Sequence, residues 1–152
     1  MKKKMKKVMK KILGLGNALT DILLQVSEDD LRELGLPKGS MNLIDLDTAM
    51  AVQSRFVSVR KTMVAGGSAS NTINAISALG GKAAFIGKLG NDEIGEFYRA
   101  DMERNGVKAF LLPSSLMSGC CTVLITPDGE RTFCTYLGAS SDLSPQDINA
   151  EA

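Results

Sequence analysis

Two adjacent glycines, Gly66 and Gly67, follow a short apolar segment at 62–65 and precede a segment with helical periodicity. Glycine has no Cβ, so the backbone can turn sharply there and its N–H groups can come close to a ligand. A strand, a glycine turn and a helix N-terminus together favour the binding of polar or anionic groups. The pattern predicts a ligand-binding turn. The alternative with the same local sequence is a tight strand-to-helix connection without a ligand.

Two polar side chains accompany this turn. Asn71 stands in the first turn of the predicted helix, and either Ser70 or Asn71 is predicted to be its N-cap. Asp21 follows the first predicted strand, at 8–16, and a carboxylate there can accept hydrogen bonds from ligand hydroxyl groups. The alternative for Asp21 is that it caps a turn or faces water. Because parallel strands share one carboxyl edge, we predict that Asp21, Asn71 and the two glycines converge on one cleft.

Other catalytic or metal-binding chemistry has few candidates in the chain. The sequence contains no histidine, which excludes Ser–His and Cys–His nucleophilic pairs. Its three cysteines form no CxxC pair, so neither a structural zinc site nor a disulfide framework is expected. No Walker-type phosphate loop is present either. The residues therefore indicate ligand binding, with no metal site.

The elements that must position these residues alternate between strands and helices. Strands are predicted at 8–16, 22–26, 41–46, 57–59, 62–65, 83–87 and 107–112. Capping residues predict helices after Ser27, after Asp45 or Asp47, and after Asp92. The turn Asp128-Gly129 between two strand-like segments predicts a β-hairpin. This order is typical of an α/β sheet with a small β appendage.

The charge of the chain is unevenly distributed. Seven lysines fall within residues 1–11, whereas the rest of the chain has 11 basic and 17 acidic residues. An acidic body argues against nucleic-acid binding, and no apolar run is long enough to span a membrane. We interpret 1–11 as a basic, solvated tail and 12–152 as the folded domain; a secretory signal is disfavoured because no cleavage site follows. The expected location is cytoplasmic.

Four motifs in order resemble the N-terminal half of the pfkB, or ribokinase-like, family of sugar and nucleoside kinases. They are Gly66-Gly67-Ser68-Ala69-Ser70-Asn71 with the later Gly80 and Gly90, Gly16-Asn17-Ala18-Leu19-Thr20-Asp21-Ile22, the block at 85–95, and the hairpin around Asp128-Gly129-Glu130-Arg131. The second of these is similar to the opening motif of the adenosine-kinase and sugar-kinase branches. An adenosine-kinase-like member is favoured, while ribokinase, fructokinase and ketodeoxygluconate-kinase relatives remain open.

The resemblance implies a three-layer αβα ribokinase-like fold with a small β lid, present here as an N-terminal fragment. It implies an ATP-dependent phosphotransferase that uses Mg²⁺ and phosphorylates a hydroxymethyl group of a sugar or nucleoside. The family's catalytic base and nucleotide pocket would lie beyond Ala152, so the chain alone is expected to be inactive. The implied partners are the acceptor, the missing C-terminal half and a second copy bound through the lid strands.

The resemblance also implies roles for individual residues. Asp21 would hold acceptor hydroxyls, Gly66 and Gly67 would admit the sugar against the backbone, and Asn71 would bind another hydroxyl, with Asn17 at the same substrate site. The hairpin would close over the acceptor and exclude water. Cys120 stands where the family often has threonine. The alternative function is a non-catalytic module that binds a sugar or nucleoside.

Overall fold

Eight strands and four helices account for the regular structure of residues 11–148, the part of the chain that the computed structural model describes. In chain order the elements are β1 (Lys11–Leu15), β2 (Leu19–Gln25), α1 (Glu28–Glu33), β3 (Met41–Leu43), α2 (Leu46–Arg55), β4 (Lys61–Gly66), α3 (Ser68–Ala78), β5 (Lys82–Leu89), α4 (Glu93–Arg104), β6 (Lys108–Pro113), β7 (Gly119–Ile125) and β8 (Arg131–Tyr136), followed by 3₁₀ turns at Gly138–Asp142 and Pro145–Asp147. The α/β fold class is confirmed.

The first sheet is parallel and has the strand order β1-β5-β6. Helices α3 and α4 pack on one of its faces, around the fully buried side chains of Phe85, Tyr98 and Met102. The opposite face leaves Leu13, Leu15 and Phe110 exposed. Residues 11–148 thus supply the sheet and one helix layer of the predicted three-layer arrangement.

The second sheet is mixed, with the strand order β3-β8-β7-β2-β4. Strand β2 runs parallel to β7 and antiparallel to β4, and β7 and β8 form the predicted hairpin. One face packs against α1 and α2 around Leu24, Leu31 and Leu124. The other face, which we call the open face, has no helix from the described residues over it and includes Asp21 and Val64.

Side-chain caps begin three of the four helices, as the sequence predicts. Ser27 and Asp30 form a capping box at α1, Asp45 accepts from the N–H of Thr48 at α2, and Asp92 accepts from the N–H of Gly95 at α4. Each cap satisfies an N–H group that lacks an intrahelical partner. Among the described helices, none has the length and apolarity that crossing a bilayer requires.

The start of α3 differs from the prediction. The N-cap is Gly67, not Ser70 or Asn71, and no side chain caps this helix. Gly67 has φ = 94°, a conformation that glycine adopts without steric cost. The chain therefore turns at Gly67 and becomes helical at once, so that Asn71 already donates its N–H to the carbonyl of Gly67.

Two strand predictions are also wrong, because strand pairing depends on distant residues. Residues 57–59 form a turn in place of the predicted edge strand, with the N–H of Val59 donated to the carbonyl of Phe56. Strand β2 begins at Leu19, three residues before its predicted start, because it pairs with β4 and β7 from that point.

The ends of the chain match the predictions less fully. Lys11, which we assigned to the basic tail, is the first residue of β1, and the rest of the tail lies outside the described residues. At the other end of the described part of the chain, the residues after Ser144 form a short 3₁₀ turn, Pro145–Asp147.

Candidate functional site

A cleft of about 570 Å³ lies on the open face, beside the N-terminus of α3. Four of the five residues predicted to bind substrate line it, and the fifth, Gly66, contacts one of them. The lining residues are Gly16, Asn17, Leu19, Asp21, Met41, Leu43, Gly67, Ser68, Ala69, Asn71, Cys121, Phe133, Thr135 and Leu137. The structure therefore brings the predicted residues together.

The predicted site residues do not converge through a shared carboxyl edge of parallel strands, as the sequence predicts. Asp21 does not follow a parallel strand; it is the third residue of β2, between Val64 of β4 and Cys121 of β7. Because β2 and β4 are antiparallel, the start of β2 meets the end of β4. The pairing of Leu19 with Gly66 thus places the two motifs next to each other.

Asp21 carries a carboxylate that lacks a hydrogen-bond donor within residues 11–148, although the residue is partly buried. Burial raises the pKa of this carboxyl above its ordinary value, because leaving water disfavours the charged form. Hydrogen bonds from a bound molecule would stabilise the carboxylate. Asp21 is therefore well suited to accept hydrogen bonds from a ligand.

Gly66 makes room for this carboxylate. A Cβ built on Gly66 would lie 2.4 Å from Oδ2 of Asp21 and 2.7 Å from Oδ1. Both distances are too short for any side chain at residue 66 unless Asp21 moves. The missing side chain at Gly66 is thus what allows Asp21 its observed position.

Gly67 makes a second close approach, between two loops. A Cβ on Gly67 would lie 2.4 Å from the carbonyl oxygen of Asn17, which belongs to the β1–β2 connection. The loop before β2 and the turn before α3 therefore pack backbone to backbone. Since Gly67 begins an uncapped helix of 11 residues, the free N–H groups of the first turn are available at the cleft.

The remaining wall of the cleft is largely apolar. Met41 and Leu43 of β3 are 73% and 72% exposed, and Phe133 lies beside them on β8. Cys121 and Thr135 pair across the hairpin, and the hydroxyl of Thr135 donates to Sγ of Cys121 over 3.2 Å. The cleft therefore offers polar groups at its Asp21 end and an apolar surface at its β3 end.

Cys121, and not its neighbour Cys120, lines the cleft. Cys120 faces the buried cluster beneath the sheet and accepts from the amide of Gln53, whereas Cys121 lines the cleft. Burial raises the pKa of Cys121 to about 11, so its thiol is neutral at physiological pH. Cys121 accordingly forms part of the wall of the cleft as a neutral thiol.

The sequence analysis expects the hairpin to close over the acceptor but does not name the hairpin residues that line the cleft, Cys121, Phe133 and Thr135, although a signal for them exists. The turn at Asp128-Gly129 sets the hairpin register and therefore pairs Cys121 with Thr135. Alternation then places Phe133 on the same face. The sequence does not reveal that β7 pairs with β2. This pairing places the hairpin face with Cys121 next to Asp21.

A second cavity, of about 640 Å³, lies at the far end of β2 and is lined by Val26, Asp30, Arg55 and Phe56 among others. Its charged groups already have partners, since Arg55 contacts both Asp30 and Glu33. The cleft at Asp21 is the better candidate because its carboxylate is unpaired.

Comparisons with known proteins agree on one family. Residues 39–152 match the model of the pfkB family carbohydrate kinases. The chain is similar to fructokinase-1 from Zea mays, with 36% identity over 79% of this chain and 38% of that protein. It is also similar to aminoimidazole riboside kinase from Salmonella typhimurium, with 44% identity over 55% of this chain and 27% of that protein.

Among solved structures, adenosine kinase from Sinorhizobium meliloti superposes with a TM-score of 0.82 and 35% identity, over 95% of this chain and 44% of that one. This neighbour confirms the ribokinase-like fold. The chain spans less than half the length of each of these relatives.

Proposed function

The chain belongs to the pfkB family of carbohydrate kinases, and from that premise we propose that it carries the acceptor-binding half of an ATP-dependent phosphotransferase. The reaction transfers the γ-phosphoryl group to a hydroxymethyl group of a sugar or nucleoside. The cleft at Asp21 binds the acceptor.

One observation carries this assignment: the unpaired, partly buried carboxylate of Asp21 lies against Gly66 in a cleft at a helix N-terminus. A carboxylate can accept hydrogen bonds from two adjacent hydroxyl groups at once, as a sugar ring presents them. In the proposed complex Gly66 and Gly67 let the sugar approach the backbone. Asn71, in the first turn of α3, and Asn17, in the β1–β2 connection, contact further hydroxyls.

The apolar wall favours a nucleoside over a free sugar. A free sugar has hydroxyl groups on nearly all sides, whereas a nucleoside has a flat base attached to its ribose. With ribose at Asp21, the base would cover Phe133, Leu43 and Met41. Without a ligand, Leu43 and Met41 are exposed and Phe133 is partly buried. The riboside and adenosine kinases among the relatives support this assignment, and the fructokinase keeps a free sugar as the alternative.

We assign the binding of the phosphate donor, and the role of catalytic base, to residues outside this chain. Within residues 11–148 no group of three or more His, Cys, Asp or Glu side chains could hold a metal ion. In the complete enzyme ATP supplies the phosphoryl group and Mg²⁺ offsets its charge, while a general base activates the acceptor hydroxyl. The contribution of this chain is to bind and orient the acceptor.

Two further partners belong to the proposal. The exposed face of the first sheet, with Leu13, Leu15 and Phe110, would be covered by the C-terminal half of the kinase domain. The open face of the second sheet would act as a lid over the acceptor. Two copies would pair through the lid strands, where Val64 is exposed outside the lining of the cleft.

The test is turnover by the full-length protein with ATP and a panel of adenosine, aminoimidazole riboside, ribose and fructose. We expect phosphorylation of a nucleoside with a lower KM than that of either free sugar. Acceptor binding without turnover, measured by calorimetry, would favour the non-catalytic binding module. Binding of none of the four would contradict the assignment of the cleft.

A further inference from the structure

Helix α4 contacts the end of β4, directly before the turn at Gly66 and Gly67. Strand β4 is the outer strand of its sheet, so its outward N–H groups have no strand partner among the described residues. One of them, the N–H of Ala65, donates to Oδ2 of Asp101 over 2.9 Å. Ala65 directly precedes Gly66, and Asp101 therefore fixes the backbone one residue before the contact with Asp21.

Helix stability does not explain an aspartate at this position. Asp101 lies near the C-terminus of α4, where the helix dipole disfavours a negative charge. Its second oxygen accepts from Arg104 over 2.7 Å, and its side chain is only 18% exposed. The carboxylate is thus held between a cation of its own helix and the edge of β4.

A second residue of α4, Tyr98, contacts the carbonyl group of Gly66 itself. The hydroxyl of the fully buried Tyr98 lies 3.5 Å from the carbonyl oxygen of Gly66, and its ring packs near Phe85. The Tyr98 contact is long and therefore weak, whereas the Asp101 contact has the length of a good hydrogen bond. Asp101 is consequently the main link between α4 and the glycine turn.

We propose that Asp101 is a positioning residue for acceptor binding. By holding the N–H of Ala65, it sets how closely the backbone of Gly66 approaches the carboxylate of Asp21. A relaxed end of β4 would move Gly66 relative to Asp21 and loosen the contact that positions the acceptor hydroxyls. This inference rests on the proposed function of the cleft.

The test compares three variants of the full-length protein. Asp101→Ala removes the acceptor of the Ala65 hydrogen bond and should raise the KM for adenosine about tenfold, with the KM for ATP unchanged. Asp101→Asn keeps an oxygen that can accept this bond and should restore most of the adenosine affinity. Arg104→Ala removes the exposed cation beside Oδ1 of Asp101, together with its contact with the Phe97 ring. It leaves Oδ2 as the acceptor for Ala65, so both KM values should stay unchanged.

A second measurement separates positioning from general destabilisation. Amide hydrogen exchange, followed by NMR, should accelerate at Ala65 in Asp101→Ala relative to the other amides of β4, and not in Asp101→Asn. An unchanged adenosine KM in Asp101→Ala, or an equal rise for ATP, would overturn the inference while the proposed function stands. Wild-type protein that binds no acceptor would overturn both.

Discussion

At the scale of single residues, binding and stability impose opposite requirements on Asp21. Under the proposed function, the carboxylate is partly removed from water and has no hydrogen-bond donor within residues 11–148, so that a ligand can supply its hydrogen bonds. Both conditions cost free energy in the unliganded protein. The raised pKa of Asp21 is the sign of that cost, and it leads to a prediction about pH.

Asp21→Asn should make the unliganded protein more stable at pH 7 and weaken acceptor binding. Because the pKa of Asp21 is raised on folding, its contribution to stability is fully present below the unfolded value of 3.8 and is lost as pH rises through the folded value. The gain in Tm of Asp21→Asn should therefore shrink as pH falls toward 4. Thermal unfolding between pH 4 and pH 8 measures this.

The same variant should lose roughly 10- to 150-fold in affinity for adenosine, the effect of about 1.5–3 kcal/mol for hydrogen bonds to a charged group. Calorimetric titration with adenosine and, separately, with ATP measures the loss. Equal losses for the two ligands would show that Asp21 does not act in acceptor binding.

Gly66→Ala should weaken acceptor binding with little loss of stability. The new Cβ would meet the end of the Asp21 side chain, which can rotate away, so the main effect is a displaced carboxylate. We expect at least a tenfold rise in the KM for adenosine.

Gly80→Ala is the matched control for Gly66→Ala, since Gly80 follows α3, has φ = 80° and has no atom within 4 Å of the added Cβ. It should lower the free energy of unfolding by about 1 kcal/mol through backbone strain and leave the KM unchanged. A larger KM effect at Gly80 than at Gly66 would contradict the steric argument.

At the scale of elements, local signals predicted the hairpin and the caps of three of the four helices, whereas non-local pairing had to come from the structure. A helix start is predictable where a side chain caps the first turn, as at Ser27, Asp45 and Asp92. The antiparallel pairing of β2 with β4 joins residues that are between 37 (Leu24 and Lys61) and 47 (Leu19 and Gly66) positions apart, and no local pattern encodes it. This is why Asp21 was predicted to follow a strand, whereas it lies within β2 and reaches the cleft through that pairing.

Asp92 joins two elements, and its loss should cost more than the loss of an ordinary cap. Its Oδ1 accepts from the N–H of Gly95 in α4, and its Oδ2 accepts from the N–H of Ser118 immediately before β7, over 2.7 Å. Asp92→Ala should lower the free energy of unfolding by about 1–3 kcal/mol.

Asp45→Ala is the control for this prediction, because Asp45 caps only α2, through the N–H of Thr48. Urea unfolding of both variants gives the comparison. A loss in Asp92→Ala no larger than that in Asp45→Ala would show that the Ser118 contact contributes no stability.

At the scale of the whole molecule, the two sheets leave different surfaces uncovered. The sequence predicted a sheet with an appendage, but not that the appendage strands join β2 and β4 in a five-stranded sheet. Strand β1 has one unpaired edge among the described residues, next to the exposed Leu13 and Leu15. Such edges and apolar faces favour association.

We expect the 152-residue chain alone to self-associate and to show no phosphoryl transfer. Leu13→Glu should reduce the association, because it places a charge on the apolar face of the first sheet. Leu79→Glu is the control, since Leu79 is 89% exposed beyond the end of α3. Light scattering after size exclusion measures both variants, and a monodisperse wild-type monomer or measurable kinase activity would contradict the expectation.

The contact between Gly66 and Asp21 also limits the mutational paths open to the lineage of this protein. A side chain at residue 66 is harmful while Asp21 is present, since the two would occupy the same space. Once Asp21 is replaced by a smaller residue, the constraint on residue 66 disappears. Under the proposed function either order passes through a variant with weaker acceptor binding, but only replacement of the glycine first forces the Asp21 side chain out of its position.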